Sequence, residues 1–314
     1  MGYKNAVVLL NMGGPNSLDE VSSFLKNMFA DPCILSVPSN LLRSMLGAVI
    51  VNSRVEKSKK IYEKLGGGSP LTAITFSLTQ SLQAKNPDTF YTYAMRYTPP
   101  FCYEVLGEIK ALGIDNVTFF SMYPQYSTTT TLSSFNDALS ALKKLDFHPN
   151  INIIERYHDH KLYIDSIANS IEARLDGADA KEFSLILSAH SIPVSRVKKG
   201  DPYKDECEKG CECIKEELAA RGIVFGNVCL SYQSKLGPVK WLEPSTESTI
   251  KQEAPNNLLI YPLSFTIDNS ETRYELSMQN RELADSLGVK DYRVCDCLNH
   301  NPDFVNLILE LTKA

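Results

Sequence analysis

Eight short apolar segments, separated by stretches long enough to form helices, constrain the fold of this chain more than any other feature of its sequence. They are rich in β-branched and aromatic residues and lie at residues 6–11, 90–96, 117–123, 151–157, 183–189, 228–232, 258–264 and 292–295. Strands that alternate with helices in this way indicate βαβ units. Because each segment is continuously apolar, both of its faces are expected to be covered, as in a parallel sheet. The sequence therefore predicts an α/β fold.

A polar stretch at residues 143–150 divides the chain, whose 314 residues are compatible with two domains of ordinary size. Most of the predicted strands, including the one at 151–157, follow this stretch. We therefore expect one domain over residues 1–147 and a second over residues 148–301. The remaining residues, 302–314, carry apolar side chains at helical spacing. They are expected to form a helix that packs back on the body of the protein.

The charge and hydropathy of the chain exclude several classes of protein. A formal net charge of -5 and a pI near 5.6 argue against a nucleic-acid-binding protein, which needs a basic surface to neutralise phosphates. The N-terminus runs directly into the first apolar segment without the features of a signal peptide, which predicts a cytoplasmic protein. No stretch approaches the roughly 20 apolar residues that span a bilayer, so any membrane contact is expected to be peripheral. The sequence leaves the oligomeric state open.

A histidine that follows a predicted strand is the first candidate for a functional side chain. His190 comes directly after the apolar segment 183–189. Ligands of open α/β sheets bind at the carboxyl ends of the strands, so this position favours a functional role. The alternative is that His190 is a structural or solvated loop residue, which is the more common situation for a lone histidine.

Three carboxylates follow a second predicted strand, the one at 258–264. Asp268 lies three residues before Glu271, and Glu275 lies four residues after it. If a helical turn begins near Asp268, the three side chains share one face of the helix. A solvated acidic first turn, favoured by the helix dipole, is the alternative. With a histidine nearby, such carboxylates can bind a divalent metal or accept protons, and a site with so few protein ligands suits a metal that is passed on.

Three cysteines, Cys207, Cys211 and Cys213, lie close together in the second half of the chain. Disulfides are not expected in a cytosolic protein, so three thiols in one segment indicate metal binding or a cluster. An iron–sulfur cluster usually takes four cysteines. The fourth could be Cys229, Cys295 or Cys297. Reduced thiols on a helix surface are the alternative, because two cysteines one residue apart on a helix point away from each other.

Short motifs in a fixed order relate the chain to a known family. They are LNMGGP at 10–15, GGGSP at 66–70, AMRY at 94–97, YPQYS at 123–127, SAHS at 188–191, GDPY at 200–203, YQSKLGP at 232–238, and FTxD followed by ETxYE at 265–275. With these motifs in this order, the sequence resembles the ferrochelatase family over nearly the whole chain. The resemblance implies two similar Rossmann-like domains with parallel sheets and a porphyrin cleft between them. It also implies the final step of haem biosynthesis, in which Fe2+ enters a porphyrin and two protons leave. Protoporphyrin IX is the expected substrate, with coproporphyrin left open.

The resemblance also assigns roles to individual residues. It makes His190 and Glu271 the catalytic pair that faces the metal, and it places Asp268 and Glu275 with them on the metal path. The residues that it places around the porphyrin are Met12, Arg54, Tyr62, Tyr123 and Trp241. Such a set suits a flat, apolar macrocycle whose propionates need a few polar partners, and an arginine can pair with a carboxylate through charge-assisted hydrogen bonds.

Two further functions are compatible with parts of the sequence. A non-catalytic haem or porphyrin carrier would need the pocket but not the carboxylates, so the presence of Asp268, Glu271 and Glu275 beside His190 favours an enzyme. An iron–sulfur redox sensor on a chelatase scaffold would rest on the cysteines alone. Some ferrochelatases carry a [2Fe-2S] cluster on a C-terminal tail that has no counterpart here. Others have an internal motif, which residues 207–213 match loosely, so the cluster is an open expectation.

Overall fold

A computed structural model describes residues 2–235 and 237–313, and within them it contains two parallel sheets of four strands each. The first sheet has the order β2-β1-β3-β4 and consists of β1 (Asn5–Asn11), β2 (Thr89–Met95), β3 (Asn116–Ser121) and β4 (Asn150–Ile154). The second has the order β6-β5-β7-β8 and consists of β5 (Phe183–His190), β6 (Asn227–Gln233), β7 (Asn257–Pro262) and β8 (Tyr292–Val294). The predicted α/β fold and all eight predicted strands are confirmed. Three residues lie outside the described ranges: Leu236 of the YQSKLGP motif, Met1 at the start of the first predicted domain, and Ala314 at the end of the predicted C-terminal helix.

Helices connect the strands of both sheets. Those that accompany the first sheet are α1 (Glu20–Ala30), α2 (Asn40–Lys64), α3 (Leu71–Lys85), α4 (Cys102–Ala111) and α5 (Thr131–Leu145). Those that follow are α6 (Lys161–Leu175), α7 (Val194–Val197), α8 (Tyr203–Ala220), α9 (Thr246–Glu253), α10 (Asn280–Ser286) and α11 (Pro302–Leu311). A short 3₁₀ turn at Ala180–Glu182 precedes β5, and a π-helical segment at Glu271–Gln279 runs directly into α10. None of the described helices is long and apolar enough to cross a membrane.

The first sheet is buried because its central strands are apolar on both faces. Val7, Val8 and Leu9 follow one another in β1 and are all inaccessible to solvent, although adjacent side chains point to opposite faces. One face packs against α4 and α5, where Leu106 and Ala138 contact the same apolar cluster as Val8. A second cluster forms around α1, with Tyr62 and Tyr97 among its members.

The second sheet is built in the same way. Ile186 of β5 and Ile260 of β7 are fully buried, and they share a cluster with Ile250 of α9 and Leu276 of the π-helical segment. The π-helical segment is therefore anchored on the sheet by an apolar side chain, while its polar side chains remain available for other contacts. This anchor matters because Glu271 and Glu275 lie on the same segment.

The fourth strand belongs to the first sheet, although the predicted domain boundary between residues 147 and 148 assigns it to the second domain. β4 pairs in parallel with β3, and the compact unit that contains it extends to Arg156 and also includes the residues from Ile308 onward. The second unit is Tyr157–Leu307. β4 is an edge strand with mostly exposed side chains. The polar stretch before it is therefore the connection into an edge strand and not a linker between domains.

A pair of neighbouring residues tests this description of the first sheet. Phe119 of β3 and Ile153 of β4 are opposite each other in the register, but Phe119 is 1% exposed and Ile153 is 43% exposed. Phe119→Ala should lower the free energy of unfolding by about 3–5 kcal/mol, because it leaves a cavity in the core. Ile153→Ala should lower it by less than about 1 kcal/mol. Urea denaturation of the two variants measures both effects, and equal losses would contradict the assignment of β4 to an exposed edge.

Candidate active site

His190 is the last residue of β5, which is an inner strand of the second sheet. The strand is buried up to Ala189, and His190 is the first residue at this end that is partly exposed. Its neighbours at the same sheet edge are Gln233, the last residue of β6, and Ser264, just beyond β7. The imidazole therefore lies where the carboxyl ends of three parallel strands meet, which is the usual position of ligand sites in open α/β sheets.

The two ring nitrogens of His190 have different partners. Nδ1 lies 2.6 Å from the carbonyl oxygen of Ser191, and Nε2 lies 3.4 Å from Oε1 of Glu271. A carbonyl oxygen only accepts hydrogen bonds, so Nδ1 carries a hydrogen and donates it. Nε2 of the neutral ring then directs a lone pair at a carboxylate. This arrangement is favourable only when a cation, either a proton or a metal ion, lies between Nε2 and Glu271.

The charges around His190 favour its protonated form. Burial alone would lower the pKa of the imidazole, but the hydrogen bond and the negative charge of Glu271, with smaller effects from the Ser191 carbonyl and Glu275, raise that pKa above its usual value. The contact with Glu271 therefore favours a proton on His190. A metal ion that binds here has to compete with that proton.

Glu271 and Glu275 both lie on the π-helical segment that follows β7. Glu271 is its first residue, and Glu275 lies four residues later. In a π-helix the hydrogen bonds run between residues five apart, so side chains four apart still project to nearly the same side. The sequence predicted an ordinary helix that starts near Asp268. The structure instead starts a wider helix at Glu271, a type of distortion that is frequent at functional sites.

Ser234, which the sequence reasoning did not single out, holds the carboxylate of Glu275. Its backbone N–H donates to Oε1 at 2.9 Å, and its hydroxyl donates to Oε2 at 2.6 Å. Ser234 has φ of 65°, in the left-handed region that residues other than glycine rarely adopt. Burial raises the pKa of Glu275, with a further increase from the charge of Glu271, and the two hydrogen bonds from Ser234 oppose this rise. Position 234 lies inside the YQSKLGP motif, which was the only signal for it in the sequence.

Asp268 does not share a face with the other two carboxylates, because the helix starts three residues after it. Its side chain is almost fully buried and accepts hydrogen bonds from Thr272 Oγ1 at 2.8 Å, Arg273 Nη2 at 2.7 Å and Asn299 Nδ2 at 2.8 Å. The backbone N–H of Cys297 adds a longer contact of 3.4 Å. Donors therefore surround both carboxylate oxygens of Asp268. This carboxylate fixes the chain before the π-helical segment and is not grouped with His190.

Four of the five residues predicted to surround a porphyrin lie in the first unit. Met12 follows β1 and packs against the apolar cluster that contains Tyr62, and Tyr123 follows β3. Arg54 lies on α2, where burial lowers the pKa of its guanidinium, and it makes no ion pair or hydrogen bond with any residue that the structure describes. Trp241 belongs to the second unit and forms an isolated antiparallel bridge with Pro193, close to His190 in the sequence.

The three clustered cysteines are separated by the geometry of α8. Cys207 and Cys211 lie one turn apart on its buried side, whereas Cys213 is partly exposed. Burial raises the pKa of the Cys207 and Cys211 thiols and therefore favours their neutral form, while cluster ligands are thiolates. Among the residues that the structure describes, no three His, Cys, Asp or Glu side chains form a group that could hold a metal ion. A [2Fe-2S] cluster on these cysteines therefore stays a prediction that iron and sulfide analysis of anaerobically purified protein can test.

The role of Asp268 can be tested against a matched neighbour. Asp268 and Asp296 both contact the guanidinium of Arg273, at 2.7 and 3.1 Å, but the side chain of Asp296 is 64% exposed. Asp268→Ala should lower the free energy of unfolding by about 1–3 kcal/mol, because it removes a buried acceptor shared by the side chains of Thr272, Arg273 and Asn299. Asp296→Ala should lower it by less than about 1 kcal/mol, as for other exposed ion pairs. Thermal or urea unfolding distinguishes the two, and similar small losses would mean that Asp268 does not anchor this region.

Comparisons with known proteins identify the family of this chain. A family model described as Ferrochelatase matches residues 4–314. The ferrochelatase of Helicobacter pylori strain J99 is 57% identical over 311 residues, which cover 99% of this chain and 93% of that protein. The ferrochelatase of Wolinella succinogenes is 47% identical over 98% of each chain.

Solved structures share the fold at low sequence identity. SirB from Bacillus subtilis, solved with Fe3+, is 9% identical and superposes with a TM-score of 0.58 over 98% of this chain and 93% of its own. CbiX, described as the terminal enzyme of sirohaem biosynthesis in denitrifying bacteria, is 11% identical with a TM-score of 0.52 over 99% of this chain and 100% of its own. At such identities the likeness concerns the fold alone.

Proposed function

Because the chain belongs to the ferrochelatase family, whose members are enzymes of haem synthesis that insert a metal into a porphyrin, we propose that His190 and Glu271 form its metal-insertion site. The observation that carries this proposal is the placement of Nε2 and the carboxylate 3.4 Å apart with Nδ1 committed to a carbonyl oxygen. Two acceptors that face each other call for a cation between them. Ferrous iron is the metal substrate of ferrochelatases, and we propose that it is the cation that binds here.

The exchange of a metal ion for protons follows from the same contact. Fe2+ that enters between His190 and Glu271 displaces the proton held by Nε2. When the iron passes to the pyrrole nitrogens, two protons leave the porphyrin, and Nε2 is again free to accept one of them. Glu275, whose pKa is raised by burial, is the next acceptor along the π-helical segment and takes the second. Both protons then reach solvent, and the charges of the reactants and products balance.

We infer that the porphyrin is protoporphyrin IX. A guanidinium that is partly buried without an ion pair among the described residues suits a propionate carboxylate, and Arg54 is such a group. Met12 and Tyr123 are partly exposed and supply apolar and aromatic surface for a flat macrocycle, while Tyr62 is buried in the cluster against which Met12 packs. A single arginine of this kind suits the porphyrin with fewer propionates better than coproporphyrin. Asp268, with donors around both of its oxygens, serves in this proposal to position the π-helical segment and not to bind the metal.

Removing the charge of Glu271 separates an enzyme from a porphyrin carrier. Glu271→Gln keeps the shape of the side chain but abolishes its attraction for a cation, so kcat should fall about 10²-fold or more while the affinity for protoporphyrin IX stays unchanged. Glu275→Gln should show a smaller loss, mainly as a higher KM for Fe2+. Anaerobic haem-formation assays and porphyrin fluorescence titrations measure the two quantities.

The control for these variants is Glu282→Gln, which changes an exposed carboxylate on α10. It should leave kcat and both KM values at the parental level. If Glu271→Gln and Glu275→Gln insert iron like the parent protein, the acidic segment is a solvated helix turn and the metal-insertion site lies elsewhere.

The pH dependence of iron binding follows from the raised pKa of His190. Below this pKa the ring is protonated and Fe2+ has to displace the proton, so the KM for iron should rise as the pH falls. Because Glu271 raises the pKa, the midpoint of this rise should lie above 6.5, the ordinary value for histidine. In Glu271→Gln the raising charge is lost and burial lowers the pKa, so the midpoint should move to lower pH. A midpoint below 6.5 in the parent protein would be inconsistent with a proton held between His190 and Glu271.

A further inference from the structure

We propose that Tyr203 and Ser264 are positioning residues for His190, because their hydroxyl groups close a ring of hydrogen bonds on its backbone. This inference rests on the proposed role of His190 in metal insertion. Within the part of the chain that the structure describes, both hydroxyls bond the main chain of His190 and not its imidazole.

Three distances define the ring. The backbone N–H of His190 lies 3.2 Å from Oγ of Ser264, the hydroxyl of Tyr203 lies 2.6 Å from the same Oγ, and it also lies 2.8 Å from the carbonyl oxygen of His190. All members of the ring are buried or half-buried.

The chemistry of these groups fixes the direction of the two hydrogen bonds that the His190 backbone makes in the ring. The carbonyl oxygen of His190 can only accept, so the single hydroxyl hydrogen of Tyr203 is donated to it. The backbone N–H of His190 can only donate, so Ser264 Oγ accepts from it. The hydrogen of Ser264 is directed to the Tyr203 oxygen at 2.6 Å or to the sulfur of Cys207, which contacts both hydroxyls. In the first case each hydroxyl both donates and accepts, and chains of this kind strengthen one another in a buried environment.

The ring lies on the side of β5 where pairing with β7 has already ended before His190. β5 pairs with β7 only as far as Ser188, opposite Pro262. The N–H of Ser191 points to the other side, where it donates to the carbonyl of Gln233 at 2.8 Å. Because neighbouring backbone groups alternate between the two sides of a strand, those of His190 point to the side that β7 has left. Without Tyr203 and Ser264 they would be unpaired.

The ring also connects three segments of the chain, in addition to pairing the backbone groups of His190. It ties together the start of α8, the turn after β7 and the end of β5, and the last two segments are those that carry His190 and lead to Glu271. A small rotation of the His190 backbone would change the 3.4 Å contact between Nε2 and Glu271. A misplacement of about 1 Å at a reacting group is enough to reduce turnover about 10²-fold.

The inference is tested by removing hydroxyl groups without removing bulk. Tyr203→Phe should lower kcat between about tenfold and 10²-fold with unchanged affinity for protoporphyrin IX, because the ring opens but the porphyrin pocket is untouched. The pKa of His190, followed by NMR titration, should fall toward or below its ordinary value as the contact with Glu271 loosens. The control is Tyr261→Phe, which removes a buried hydroxyl that has no hydrogen-bond partner among the described residues and should leave both measurements at the parental level.

A second pair of variants separates the hydrogen bonds from packing. Ser264→Thr keeps the hydroxyl, whereas Ser264→Val has the same shape as Thr but carries a methyl group in place of the hydroxyl. The Thr variant should therefore retain turnover, and the Val variant should show the same loss as Tyr203→Phe. Because the ring works as one unit, Tyr203→Phe combined with Ser264→Val should lose no more than the more damaging single change. Equal effects of Thr and Val would attribute the loss to packing and overturn the inference.

The two proposals fail in different ways. If Tyr203→Phe and Ser264→Val keep the parental kcat and the parental pKa of His190 while His190→Ala is inactive, the positioning ring is refuted and the metal-insertion site stands. If His190→Ala itself retains turnover, the proposed site is refuted. Should Tyr203→Phe fail to fold, the comparison of Ser264→Thr with Ser264→Val decides the matter alone.

Discussion

The hydrogen bond between Nδ1 of His190 and the carbonyl oxygen of Ser191 determines what the rest of the site can do. It commits one ring nitrogen as a donor, so the other nitrogen faces Glu271 as an acceptor unless a cation lies between them. A histidine free to rotate could satisfy Glu271 with its own N–H and would have no need of a metal. The short contact of 2.6 Å excludes that arrangement. The orientation of Nε2 toward Glu271, on which the proposed site depends, is therefore set by the backbone at residue 191.

The second sheet brings the parts of this site together because its strands are parallel and end at one edge. His190 ends β5, Ser234 follows β6, and Ser264 follows β7 before the chain reaches Glu271. The inner strands β5 and β7 are largely apolar and are covered by helices, as is usual for parallel strands, so the polar groups of the site lie beyond their ends. A chain with alternating polar and apolar residues in these strands would have placed polar side chains along one face of the sheet instead. The pattern that fixes the fold thus also fixes where chemistry can occur.

Patterns local in the sequence were predictable, and contacts between distant residues were not. All eight strands followed from continuous apolar runs, and the position of His190 followed from one of them. The partner of β4 did not, because an edge strand is short, exposed and flanked by polar residues. The π-helical segment, Ser234 and Tyr203 were also beyond reach, since each depends on tertiary contacts. Ser234 meets Glu275 across 41 residues and Tyr203 meets Ser264 across 61, and a hydroxyl group carries no sign of its partner in the sequence.

The three carboxylates after β7 differ in how firmly the protein holds them, and this difference suits the transfer of a metal. Donors from several residues surround Asp268, so a cation would have to displace them. Among the described residues, Ser234 holds Glu275 through two hydrogen bonds. Glu271 meets His190, and within the described part of the chain no donor fixes its oxygens otherwise. Three carboxylates within a few residues therefore differ in the number of donors that hold them, from several at Asp268 to none other than His190 at Glu271 among the described residues. We call the carboxylate of Glu271 the open one. In the proposed site a metal would bind only the open carboxylate and a single histidine, and two protein ligands would hold it loosely enough to leave for the four nitrogens of a porphyrin.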